Sequence, residues 1–102
     1  MNGKQIANET INQMGGFSKL AAMVGAHNFV YDNDGMVKFS FKMCGKTNMI
    51  KIELSSDDLY DVSFYKFSRK NATCDLVAEH NGIYNDQLRS IFERETGLYL
   101  SL

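Results

Sequence analysis

Two histidines, His27 and His80, and two cysteines, Cys44 and Cys74, are the side chains of this 102-residue chain best suited to nucleophilic or metal chemistry. A thiol becomes a strong nucleophile when a neighbouring imidazole takes its proton, and zinc sites draw on thiolates and imidazoles at short paired spacings. Neither pattern occurs here. There is no Cys-x-x-Cys, the histidines are far apart, and both fall at the ends of expected elements. The cysteines therefore read as free, partly buried thiols rather than as a zinc site or a disulfide framework. With no acid, base, nucleophile or metal constellation in view, the expectation is a protein that is not an enzyme and holds no cofactor or metal.

Two further stretches imitate ligand loops. "DNDG", Asp32 to Gly35, alternates acids before a glycine as a calcium loop does. Counted from that glycine, however, the first and twelfth ligand positions fall on Val30 and Phe41, which carry no side-chain oxygen. A hairpin turn is the reading, since Asp-Gly between apolar runs favours one. Gly15 and Gly16 precede Lys19 and an apolar stretch, but the spacing matches neither a Walker loop nor a dinucleotide fingerprint, so a helix-to-helix turn is expected. The tripeptides "NET" and "NAT" are chance glycosylation sequons.

The elements that would position a site follow from periodicity. Ile6, Ala7, Thr10, Ile11 and Met14 share a helical face within 3–14, and Phe17, Leu20, Ala21 and Val24 share one in a second, shorter helix. The period then drops to two. Val37, Phe39, Phe41 and Met43 alternate with Lys38, Ser40 and Lys42; Ile50, Ile52 and Leu54 with Lys51 and Glu53; Tyr60, Val62 and Phe64 with Asp61, Ser63 and Tyr65. In a fourth run Cys74, Leu76 and Ala78 are placed on the apolar face, and Asp75, Val77 and Glu79 opposite. Short links between the runs predict an antiparallel meander, to which "NFVY" adds a fifth edge strand. A last helix is expected from about Gly82 to Thr96, presenting Tyr84, Leu88, Ile91 and Phe92, with Gly97 as its stop. The fold class is α+β: two N-terminal helices, a four- to five-stranded meander, and a C-terminal helix on the same face, making two layers in a single domain over 1–102.

A hydrophobic fraction of 44% argues against disorder, and a net charge of −1 gives no overall bias toward nucleic acid or an anionic membrane. No apolar run suits a membrane span or a signal peptide, so a cytoplasmic protein with no membrane partner is expected. Binding must then come from local patches. The outer sheet face offers Lys38, Lys42 and Lys51 beside Tyr65 and Phe67, with acids gathering on the last strand. Aromatics suit a protein interface, and the same aromatics with the three lysines suit a single-stranded nucleic acid. The stretch "TGLYLSL" adds Tyr99 and Leu102 as apolar anchors, which can cover that face or meet a partner.

Both ends of the chain carry a resemblance. "GGFSKLAAMVGAHNF", with Gly15, Gly16, Met23, Gly25, Ala26 and Phe29, and "GIYNDQLRSIFERETGLYLSL", with Tyr84, Asp86, Leu88, Phe92, Thr96 and Gly97, look like a family of small uncharacterised proteins from bacteriophages, prophages and conjugative elements. The resemblance implies a setting, an accessory protein of a mobile element inside a bacterial cell, and transfers no site. Small proteins of such elements often bind and block a host protein, as defence inhibitors do. The expected function is thus non-enzymatic binding of a host protein through Tyr65, Phe67, Tyr99 and Leu102, with homodimerisation open. The alternative is a nucleic-acid-binding accessory module using Lys38, Lys42, Lys51, Tyr65 and Phe67.

Overall fold

The structure is a computed structural model that describes residues 3–42 and 45–97, the side chain of Phe17 excepted. Helix α1 spans Gly3–Gln13 and α2 spans Phe17–Val24; strands β1 to β5 span His27–Tyr31, Met36–Ser40, Met49–Leu54, Tyr60–Ser68 and Thr73–Ile83; α3 spans Leu88–Thr96 after a single 3₁₀ turn at Asn85–Gln87. The strands pair in chain order, β1-β2-β3-β4-β5, and every pairing is antiparallel. This is the expected α+β meander, with "NFVY" supplying the fifth strand. Among the described residues, no helix is long and apolar enough to cross a membrane.

Side-chain alternation explains which face is covered. Val37, Phe39, Ile50, Ile52, Val62 and Phe64 point to one side of β2, β3 and β4 and are almost wholly buried. All three helices supply the opposite wall of that core, through Ala7 and Ile11, Leu20 and Val24, and Leu88, Ile91 and Phe92. Phe92 lies at its centre, with ring centroids 5.0 Å from Phe41, 6.4 Å from Phe64 and 6.5 Å from Phe39. Such offset and edge contacts add specific geometry to what burial alone contributes. Helix α1 meets the "DNDG" turn so closely that a side chain at Gly3 would collide with the Asp32 carbonyl.

Three local expectations are corrected. Ala21 is exposed, and Met23 packs on the core instead. The last helix begins at Leu88 rather than near Gly82, because β5 runs on to Ile83. Tyr84 stays extended, its N–H donating to Gln87 Oε1 at 3.1 Å, so its ring is exposed rather than on the inner helix face. The third correction concerns β5. Phe64 pairs with Ala78 while Tyr65, the next residue, pairs with Leu76. Val77 is therefore an extra residue, a β-bulge, and it packs on the core with Ala78. One inserted residue reverses the side-chain parity beyond it. Cys74 and Leu76 turn to the outer face opposite Phe67 and Tyr65, and Asp75 turns to the side of Lys66, the reverse of the sequence expectation.

The "DNDG" stretch is a hairpin turn. Asp32 Oδ1 accepts from the N–H groups of Met36 at 3.0 Å and Asp34 at 2.9 Å, and these hold its carboxyl below the ordinary 3.8. Gly97 ends α3 in the left-handed conformation, its N–H donating to the Glu93 carbonyl.

Candidate functional site: the outer sheet face

The face of the sheet turned away from the helices is not flat. Near the β2–β3 end it carries a trough of about 480 Å³, within the range of ligand clefts. The edge strand β1 forms one wall with His27 and Val30; the β4–β5 hairpin forms the other with Phe67 and Arg69; Ser40 and Met49 lie between, with Lys38 and Lys42 beside them.

Each wall has a local cause. In β1 the register shifts between His27 and Val30, and Asn28 adopts a positive φ of 57°. Asparagine tolerates that conformation better than most residues. His27 Nδ1 donates to the Gly25 carbonyl at 2.8 Å, which leaves Nε2 free of that bond. The opposite wall extends past the start of β3, whose ladder with β4 ends at the pair of Met49 and Tyr65. Beyond it Asn48 substitutes for a strand partner: its Nδ2 donates to the Phe67 carbonyl and its Oδ1 accepts from the Phe67 N–H, both at 2.8 Å. Beside it the buried Thr47 hydroxyl donates to the Tyr65 carbonyl at 2.6 Å. The hairpin tip is thereby fixed to the loop before β3.

The cations divide into two groups. Lys51 bonds Glu53 at 3.2 Å, which raises its pKa above 10.5, and its Nζ lies 5.9 Å from the Tyr65 ring centroid. Lys46 pairs with Glu95 at 3.5 Å. Among the described residues, Lys38, Lys42 and Arg69 have no carboxylate partner, and no carboxylate lines the trough. Acidic Glu53 and Asp61 occupy the other end of the same face, and Glu79 stands across the sheet in the row of Lys38 and Lys51. The face is electrically bipolar.

Of the residues proposed from sequence, the structure gathers Lys38, Lys42 and Phe67 in one place and sets Tyr65 next to them. Lys51, the cross-strand neighbour of Lys38, is paired with Glu53. Tyr99 and Leu102, as well as Met43 and Cys44, lie outside the described residues. Sequence reasoning missed Arg69, Asn48 and Leu76. Arg69 stood in a stretch read only as a turn, Asn48 had no periodic signal, and Leu76 reached the outer face through the bulge. Leu76 is 55% exposed and Phe67 42%, a large uncovered apolar pair beside exposed Cys74.

The other chemistry-bearing side chains are dispersed. His80 faces the core side, where Nε2 donates to Glu95 Oε1 at 3.0 Å and the ring meets Phe64 edge-on. Cys74 is on the opposite face of the same strand. His27 and Cys74 lie on the two edge strands, four interstrand spacings apart, roughly 19 Å in a flat sheet. Among the described residues, no three of His, Cys, Asp or Glu come together to hold an ion.

The fold and this face define a two-layer α+β domain with one sheet face that, among the described residues, no helix covers. No family model matches the chain, and no curated protein and no solved structure matches it.

Proposed function

We propose that this is a non-enzymatic binding protein that engages a partner protein through its outer sheet face. The observation that carries the reading is the exposed apolar set Val30, Phe67 and Leu76 on the sheet face that α1, α2 and α3 leave uncovered. Large uncovered apolar side chains rimmed by charge are the usual composition of a protein contact surface. The setting implied by the resemblance belongs to the same proposal: an accessory protein of a phage or mobile element, cytoplasmic in its bacterial host, binding and blocking a host protein as a defence inhibitor does.

The test is affinity purification from host lysate with an N-terminal tag, half the sample being treated with nuclease. A host protein retained in stoichiometric amount after nuclease, and lost with Phe67→Ala and Leu76→Ala together, supports the proposal. Retention by that double variant removes the outer face from it.

A second reading has its own observation. Lys38, Lys42 and Arg69 beside Phe67 resemble the cation and stacking pair of single-strand binders. Against it, Glu53 engages Lys51, which also lies over the Tyr65 ring, and the far end of the face is acidic. A mobility shift with single-stranded DNA or RNA that weakens steeply with salt would favour it.

A further inference from the structure

We infer that the trough between β1 and the β4–β5 hairpin is a receptor for an extended acidic segment of the partner protein, with an apolar side chain seated between Val30 and Phe67. This rests on the protein-binding reading and specifies the chemistry of the partner.

The argument begins with pairing. Lys51, the cross-strand neighbour of Lys38, and Lys46 in the loop before β3 have carboxylate partners in their own chain, Glu53 and Glu95. Lys38, Lys42 and Arg69 do not, among the described residues, although all three line one concavity. Like charges collected in a cleft with partly apolar walls focus a positive potential outward, and that potential is complemented by a ligand carrying carboxylates. Arg69 at the hairpin tip can take a carboxylate through two parallel N–H donors. The apolar part of the ligand is specified by Val30 and Phe67, both exposed on opposite walls.

Two other occupants fit less well. A second copy of this chain placed on the same patch by a two-fold axis would set Lys38, Lys42 and Arg69 against their own equivalents. A nucleic-acid strand continuing along the sheet would run into Glu53, Asp61 and Glu79, and would find Lys51 already paired to Glu53. A short acidic segment held at the basic end meets neither obstacle.

The probe is a short fluorescein-labelled peptide that alternates glutamate with leucine and phenylalanine, titrated with the full chain and followed by anisotropy at low salt. The comparison probes are the same peptide with lysine in place of glutamate, and a labelled oligothymidylate. Saturable binding of the glutamate peptide is expected. Lys38→Glu with Lys42→Glu should weaken it by about tenfold or more, because like charges then face one another. Arg69→Gln and Phe67→Ala should each weaken it less, while Lys4→Glu on α1 should leave it unchanged. Far-ultraviolet circular dichroism checks that each variant is folded, and Lys42→Gln replaces the charge reversal if that variant does not fold. Failure of the glutamate peptide to saturate, equal binding of the lysine peptide, tighter binding of oligothymidylate, or indifference to the lysine substitutions would each overturn the inference. The parent reading is judged separately. If host-protein capture survives the lysine reversals but is lost with Phe67→Ala and Leu76→Ala, protein binding stands and the acidic-segment inference falls.

Discussion

Removing the Asn48 amide should loosen the β4–β5 hairpin tip without unfolding the domain. In the native protein this side chain makes two hydrogen bonds at 2.8 Å to the backbone of Phe67, where the β3 ladder has already ended. Each neutral bond contributes about 0.5–1.5 kcal/mol net. Because the site is exposed, water recovers part of that, so Asn48→Ala should cost about 1–2 kcal/mol in total. Asn48→Asp should cost at least as much, since it deletes the donor and points a carboxylate at the Phe67 carbonyl. Amide hydrogen exchange followed by NMR resolves where the loss falls. Exchange of the Phe67 N–H should quicken by about tenfold, which corresponds to about 1.4 kcal/mol, while amides of β2 and β3 beside the core should change far less. Acidic-peptide affinity should fall with it, because Phe67 and Arg69 form the wall that Asn48 holds. Unchanged Phe67 exchange in Asn48→Ala would refute the reasoning, and so would an equal acceleration at core amides.

Phe92→Ala removes a ring with no exposure that touches three other phenylalanines. A loss of about 3–5 kcal/mol in urea unfolding is expected, which takes a large part of the roughly 5–15 kcal/mol of a typical domain. Asp32 gives a pH signature. The backbone N–H groups of Met36 and Asp34 lower its folded pKa below 3.8, so its contribution to stability is complete above that value and is lost as pH falls through the folded pKa. The Asp32→Asn variant keeps an acceptor at this position but does not titrate there, so its acid unfolding should depend less steeply on pH below 3.8 than that of the natural chain. Identical acid profiles would remove Asp32 from the account.

Much of the fold was legible in the order of residues. The change from a helical period to a period of two, the Asp-Gly turn before β2, and Gly97 after Thr96 are local signals. Each is set by backbone sterics or by which side of a segment is apolar, and these do not need the rest of the molecule. That is why the two N-terminal helices, the meander and the inner face of β2, β3 and β4 agree with the sequence. The trough needed more. Whether Leu76 faces the core or solvent depends on one extra residue at Val77, and a bulge is a property of the β4–β5 pair rather than of β5 alone. Likewise, "HNGI" after Glu79 continued as strand because β4 was there to pair with it, as the partners Val62 and His80, and Tyr60 and Ile83, show. Charge tells the same story. Lys38, Lys42, Lys46 and Lys51 are equivalent letters in a sequence, and only the tertiary structure pairs two of them with Glu95 and Glu53 while leaving the other two beside Arg69 and Phe67. Local periodicity determined the layers of this protein, whereas its basic, partly apolar concavity was decided by contacts between residues far apart in the chain.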